Sequence, residues 1–265
     1  MEDRKRKERE FHNARESVRM EDAGEAERSY PNLRFYSVVE GSRGYIFGWL
    51  AKHCAGKDVL DYCCGPGGMS VRLAKLGARK VTGIDISDVS IRSARQKAEA
   101  EGVSDRVELH VMDAEHTTFP DDTFDAAVCS GVLHHLDLDP AYRELARVLR
   151  PGGRIICIEA MRHNPYFMRY RRRTPDLRTA WEVDHILGVP EIRKARKYFD
   201  SVEVRFFHLF ALGAVPLRRT PFFKPALAVL NLLDAAVLRI PGIRRWAWQA
   251  VFILSEPKPQ TALPG

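Results

Sequence analysis

Between Val59 and Gly68 the chain reads Val-Leu-Asp-Tyr-Cys-Cys-Gly-Pro-Gly-Gly, an apolar run closed by an acid and then a glycine-rich turn. Glycines in such a turn let the backbone approach a ligand closely, and a helix beginning there offers N–H groups with no intrahelical partner. Dinucleotide sites use the same logic, so the turn alone does not name its ligand. Two further acids narrow it. Asp85 closes the next apolar run and is placed to accept from both hydroxyls of a ribose. Asp113 closes the third, in Val111-Met112-Asp113-Ala114, where a carboxylate can accept from an adenine amino group. Three acids at neighbouring strand ends favour adenosine carrying a positive sulfonium over a pyrophosphate, because like charges repel.

The elements that must position these residues follow from the hydrophobic pattern. Strands are expected at Lys57–Asp61, Lys80–Asp85, Val107–Met112, Phe124–Ser130 and Arg154–Glu159. Between them, Met69–Leu76 has helical spacing with Gly77 as its stop, and Ser87 caps a helix running to Glu101 before Gly102. Asp139-Pro140 opens another helix, and Pro151-Gly152-Gly153 closes it. Strands alternating with helices of this length predict an α/β fold with a doubly wound, mostly parallel sheet. After Met161 the rhythm breaks: Val202–Leu209 and Trp246–Leu254 read as two more strands, seven in all, separated by an apolar, proline-interrupted helical insertion at Pro216–Pro241. Residues 1 to about 30 are polar and read as one or two surface helices. The expected organisation is an N-terminal helical lid (1–45), a cofactor-binding core (46–160), and an acceptor-binding cap with the last two strands (161–265).

Taken together these pieces resemble the class I S-adenosylmethionine-dependent methyltransferases, within them the group similar to the enzymes of ubiquinone and menaquinone biosynthesis. The resemblance rests on Asp61 to Gly68, Gly83-Ile84-Asp85-Ile86-Ser87, Asp113-Ala114, Ser130-Gly131-Val132-Leu133-His134-His135-Leu136 and Leu149-Arg150-Pro151-Gly152-Gly153, across about residues 35–160. It implies S-adenosyl-L-methionine as cofactor, Asp85 on the ribose, Ile86 on the adenine, Asp113 at the adenine amino group, and Gly65 and Gly67 near the methionine moiety. Asp61, Cys63, Ala114 and Ser130 complete that set, and Phe35 and Tyr36 resemble the aromatic lid of relatives. Cys63 departs from the family pattern, which has glycine there; the filled position is expected to narrow the methionine end of the site.

Methyl transfer is an in-line displacement in which positioning can supply up to roughly 7–11 kcal/mol of the barrier. A base is needed only if the acceptor loses a proton. Glu159, an acid at the end of an apolar run, and His135 are the candidate catalytic residues, with His163 a further neighbour; a salt-bridged or helix-capping role for Glu159 stands equally open. His134 is read as a wall of the acceptor pocket. The segment Arg169–Arg178 clusters arginines that can fork onto phosphate or carboxylate oxygens. Tyr166, Tyr170, Arg171, Arg172 and Trp181 are therefore the candidate acceptor contacts, a greasy pocket with an anionic anchor, against the alternative of a solvated arginine-rich loop. This is faintly similar to methyltransferases acting on prenyl diphosphates at carbon, where aromatic faces would stabilise a carbocation.

Composition bounds the alternatives. From Met161 onward the chain has 18 Lys and Arg against 8 Asp and Glu, so the net charge of +7 belongs to the C-terminal part. That lobe could meet nucleic acid, lipid headgroups or an anionic small molecule. Nucleic-acid methylation is disfavoured, because after the fourth strand stands Ser130-Gly131-Val132-Leu133 rather than an Asn/Asp-Pro-Pro-aromatic turn. The remaining readings are a methyltransferase for a quinone, phenol or lipid at a membrane surface, with Phe222–Ile240 as an amphipathic foot, or a cofactor-binding protein without activity. Five cysteines without a Cys-x-x-Cys pair argue against disulfides and a metal site and suggest a reducing, cytoplasmic setting.

Overall fold

The computed structural model describes residues 2–21 and 31–259; residues 22–30 of the expected N-terminal helices and the last residues of the expected cap lie outside the described residues. Seven strands form one sheet: β1 (Asp58–Tyr62), β2 (Lys80–Asp85), β3 (Val107–Val111), β4 (Phe124–Ser130), β5 (Leu149–Ala160), β6 (Phe199–Phe207) and β7 (Gln249–Pro257). Their order is β3-β2-β1-β4-β5-β7-β6, parallel from β3 to β5, with β7 antiparallel to both neighbours. The helices are α1 (Asp3–Glu21), α2 (Glu40–Cys54), α3 (Gly68–Lys75), α4 (Asp88–Ala100), α5 (Leu138–Val148), α6 (Pro165–Arg173), α7 (Ala180–Asp184), α8 (Val189–Lys194), α9 (Phe223–Val237) and α10 (Pro241–Arg244).

The central strands are apolar because both faces are covered, whereas the edge strands β3 and β6 carry polar residues that reach solvent. Val59, Val81, Ala126, Val128, Ile156 and Val251 face a layer containing Trp49 and Leu50 of α2, Leu73 of α3 and Ile91 and Ala94 of α4. Leu60, Tyr62, Ile84, Cys129, Ile155 and Phe252 face Tyr142 and Leu145 of α5 and Ile192 of α8. A smaller third core joins Phe35 and Val38 to Phe167 of α6, Leu212, Val215, Leu227 of α9 and Trp248. The chain reverses its winding direction between β1 and β4, which leaves a crevice outside the carboxyl ends of the strands.

The doubly wound sheet, the seven strands and the helical insertion before the last one are as the sequence pattern predicts. Three local expectations change. Pro151-Gly152-Gly153 lies within β5 instead of ahead of it: Phe124 pairs with Leu149 and Ala126 with Arg154, so the intervening residues bulge from the ladder. The last two strands are shifted along the sequence, to begin at Phe199 and Gln249. Helix α1 is also no mere surface helix. It buries Lys5, Glu8 and Glu16, and those side chains are charged, so no apolar stripe announces the buried face.

Gly67, the N-cap of α3, has φ +73°, and a Cβ there would lie 2.7 Å from the Ala94 Cβ of α4. Gly67→Ala therefore combines left-handed strain with overpacking and is expected to cost about 2–4 kcal/mol. Urea unfolding followed by circular dichroism checks this; a variant as stable as the parent would show that α3 and α4 can part freely.

Candidate active site

The turn after β1 is held to β2 by two hydrogen bonds. Cys64 N donates to Ile84 O at 2.8 Å, and Gly65 N donates to Asp85 Oδ2 at 2.9 Å. Cys63, Gly65 and Gly67 all have positive φ, 58°, 50° and 73°. Cys63 is the costly one, since an L side chain meets its own backbone there; its side chain packs against the core beside Tyr62 and Cys129. Asp85 Oδ1 accepts from Ser87 N at 2.8 Å, at the start of α4. Burial pushes the Asp85 carboxyl above the usual carboxylate range, and the amides of Ser87 and Gly65 pull it back. Asp61 sits beneath the turn, 2% exposed and bound by the Ser70 hydroxyl, and burial raises its pKa to about 7.

Over the strand tips lies a cavity of about 840 Å3. Of the residues expected to bind cofactor, Cys63, Gly65, Asp85, Ile86, Asp113, Ala114 and Ser130 line it together, and so does His135. Asp61 and Gly67 do not: the first is packed below the turn and the second against Ala94. Tyr36 lines a neighbouring cavity, away from Asp85.

Helix α1 forms one wall. Lys5 Nζ donates to Asp113 Oδ2 at 2.7 Å and lies 2.9 Å from Glu115 Oε2, while Arg4 Nη2 holds both oxygens of Glu115 at 2.7 and 2.8 Å. Burial would raise the Asp113 carboxyl, but the Lys5 ammonium outweighs it and holds the group below its ordinary value. Glu8 reaches His135 Nδ1 at 3.0 Å and also accepts from the Thr179 hydroxyl. Asn13 donates to Asp88 at 2.9 Å and accepts from Ser87, and Glu16 accepts from Ser93 at 2.8 Å. Sequence reading missed every one of these contacts, because their only signal is charge.

The neighbouring cavity, about 420 Å3, shares Arg15, Ser130, Gly131 and His135 with the first. Glu159 borders it, 1% exposed, with its oxygens already engaged. Oε1 accepts from the amides of Val132 and Leu133, both at 2.8 Å, and Oε2 lies 2.7 Å from His134 Nδ1. The geometry is that of an anchor for the loop after β4. Burial alone would lower the His134 pKa; the Glu159 charge and hydrogen bond outweigh it and hold the ring above its ordinary value. His135 goes the other way, pushed down to about 4 by burial and by the charge at His134. Glu8 stays ionised with its pKa far below normal, so the His135 Nδ1–H donates to it and Nε2 keeps its lone pair.

The expected anionic anchor is partly rearranged. Arg171 is buried, bonded to Glu182, and lines this second cavity with Arg178, whose Nε lies 3.6 Å from the same carboxylate. Arg172, one helical step from Arg171, points to solvent and lines neither cavity. Tyr166 is 64% exposed and belongs to a third cavity, and Tyr170 packs edge-on against Phe35. Trp181 stacks on His185 with Arg4 over its ring, outside these cavities. His163 lies near Arg162 and Gly188, away from both. Arg178 and Glu182 were legible only as part of a charged run. Three polar atoms of residues lining the second cavity, Arg171 Nε, Gln249 Oε1 and Asn32 Oδ1, are buried without a hydrogen-bond partner.

Residues 59–153 match the family model described as "Methyltransferase domain". Over 102 residues the chain is 40% identical to the methyltransferase GfsG of Streptomyces halstedii, covering 38% of this chain and 37% of that protein. Over 104 residues it is 40% identical to the demethylmenaquinone methyltransferase of Lactiplantibacillus plantarum, covering 38% of this chain and 44% of that one. The matched part thus spans less than half of either relative's length. Among solved structures, the fold is similar to geranyl diphosphate C-methyltransferase from Streptomyces coelicolor A3(2), in complex with Mg2+, geranyl-S-thiolodiphosphate and S-adenosyl-L-homocysteine; the TM-score is 0.53 and the identity 18%, over 80% of this chain and 74% of that one.

Glu159→Gln keeps the size of the side chain but removes the charge that raises the His134 pKa. Histidine NMR titration is expected to show the His134 pKa fall by about one unit or more, with a stability loss of about 1–3 kcal/mol. A His134 pKa that stays put would assign its elevation to Glu182 instead.

Proposed function

We propose that this chain, whose residues 59–153 match a methyltransferase domain, transfers the methyl group of S-adenosyl-L-methionine to a hydrophobic small molecule that carries an anionic group. The observation that carries the cofactor part is Asp85: both oxygens of a buried carboxylate are fixed by backbone amides at the mouth of a cavity, each with a lone pair left to accept a ribose hydroxyl. Ile86 lies beside it for the adenine face, and Asp113 keeps acceptor capacity for the adenine amino group alongside its bond to Lys5. Gly65, with nothing within 4 Å of a would-be Cβ, leaves room for the methionine end, and Arg15 in the wall suits its carboxylate. When bound, the cofactor supplies an electrophilic methyl group on a sulfonium.

The second cavity supports the acceptor part. Arg15, Arg43, Arg171 and Arg178 line it among Tyr36, Phe167 and Trp248, so a compact anion meets guanidinium groups while an apolar body meets aromatic faces. Glu182 meets two guanidinium groups, those of Arg171 and Arg178, while Glu159 is engaged by the amides of Val132 and Leu133 and by His134. Arg178 takes the place that the sequence pattern gave to Arg172. Glu159 acts through position, holding the loop 131–134 and His134. His135 lines both cavities and offers Nε2 as proton acceptor. With a conjugate-acid pKa of about 4 it is a weak base. Such a base suits the very acidic proton beside a carbocation, left when a methyl group adds to an alkene, better than the proton of a phenol or amine. That favours methylation at carbon of an isoprenoid-like acceptor. A quinone precursor is the second reading, favoured by the likeness to demethylmenaquinone methyltransferase over 104 residues.

Two measurements test the proposal. Asp85→Ala is expected to weaken S-adenosylhomocysteine binding about a hundredfold by calorimetry, two hydrogen bonds to a charged group being lost; unchanged affinity removes the cofactor assignment. Labelled cofactor is then offered with prenyl diphosphates, quinone precursors, phenols and lipids. For the acceptor that is methylated, Arg178→Met should raise KM about tenfold or more with kcat little changed, and an unchanged KM removes the anchor.

A further inference from the structure

Helix α9 is built inside out. Its buried side chains are Leu227 and Asp234, and the Asp234 carboxylate accepts from the amides of Leu209, Phe210 and Ala211 at 2.7–3.2 Å. Facing outward are Phe222 (69% exposed), Val229 (58%), Leu232 (73%) and Leu233 (45%). A helix on the surface of a globular protein turns its apolar stripe to the core; α9 turns only Leu227, with Phe223 and Leu230 partly buried beside it, to the third core and leaves its other large apolar side chains outside. Phe210, Ile240 and Trp246, all exposed, extend the apolar surface on the flanking segments. Contiguous apolar surface of this kind marks an interaction site.

The charges around it choose the partner. Between Phe206 and Ser255 the sequence holds one acid, the buried Asp234, but six cations: Arg218, Arg219, Lys224, Arg239, Arg244 and Arg245. A second copy of the chain docked face to face would set six cations against six. A surface of anionic headgroups over hydrocarbon answers both the apolar face and its cationic surround. No helix of the described residues is long and apolar enough to cross a membrane.

We propose that α9 and its flanking segments dock this protein on an anionic lipid surface, with Phe222, Val229 and Leu232 entering the headgroup boundary and the arginines pairing with phosphates. Phe210 and Trp246 of the same patch also line a cavity of about 670 Å3 bounded by Phe35, Leu212 and Val215. An apolar molecule held in the membrane would therefore meet this cavity first. The docking face shares no residue with the Asp85 cavity except Arg218 and Arg219, and it stands whether or not the chain transfers methyl groups.

Flotation with vesicles tests it. The full chain should float with vesicles of equal parts phosphatidylcholine and phosphatidylglycerol, about tenfold more than with phosphatidylcholine alone, and should be released by high salt. Val229→Glu/Leu232→Glu alters only exposed positions and should abolish flotation with an unchanged melting curve; Arg239→Glu/Arg245→Glu, which leaves the apolar face intact, should reduce it as strongly. No flotation of the parent chain, or flotation of both variants equal to the parent's, overturns the proposal. So does a dimer in light scattering that Val229→Glu/Leu232→Glu converts to monomer, because a second copy would then be what covers the face.

Discussion

The hydrogen bond from Gly65 N to Asp85 Oδ2 joins the ends of two parallel strands and fixes the chain reversal between them. Parallel strands leave their carboxyl ends side by side, so whatever follows each strand must turn away without burying an unpaired amide. The first turn does so by donating to the acid at the tip of β2, and α4 does so by donating Ser87 N to the same acid. Asp85 is therefore a structural acceptor before it is anything else, and its remaining lone pairs face the cavity in a direction set by the sheet. Left-handed backbone at Cys63, Gly65 and Gly67 is the geometric consequence of making that turn in so few residues.

Helix α1 extends the same logic with charge. Arg4 and Lys5 pair with Glu115 and Asp113, and Glu8 accepts from His135, so the cavity is closed by charged side chains rather than by an apolar lid. An apolar lid would have to expose its buried face to water each time it opened, whereas charged side chains are readily rehydrated. The arrangement also separates two adjacent histidines. His134 sits between Glu159 and Glu182, which raise its pKa above the ordinary value, while burial and the neighbouring ring push that of His135 down to about 4. Neighbours in sequence are thus shifted in opposite directions because they meet different partners.

The sheet and the Asp85 cavity were legible in the sequence because both depend on local patterns: apolar runs of strand length, capping residues such as Ser87, and glycines where the turn demands them. Asp85, Asp113 and Ile86 converge as their positions at strand ends require. What was not legible depends on partners distant in sequence. Nothing near Lys5 announces Asp113, 108 residues on, and nothing near Thr179 announces Glu8, 171 residues earlier. Glu159 stood out as an acid in an apolar strand, but whether its oxygens were free depended on the Val132 and Leu133 amides, which belong to another element. Within the arginine run the helical period decides: Arg171 faces inward and Arg172 outward, and Arg178 joins Arg171 only because the turn after α6 brings it back to Glu182.

The apolar insertion shows why hydrophobic content alone is a poor guide to burial. By composition α9 reads as a core helix, yet it is placed by its polar residues. Asp234 ties it to the amides of Leu209, Phe210 and Ala211, and Asn231 packs against Gly41. A helix anchored by an acid on its inner face has no freedom to rotate its leucines inward, since rotation would strip a buried carboxylate of its donors. The outward leucines are then a constraint of the fold rather than a lapse in it. Leu232, 73% exposed, adds little to packing, so a face built of such residues beside the cations around it argues for a surface that meets something apolar and negatively charged.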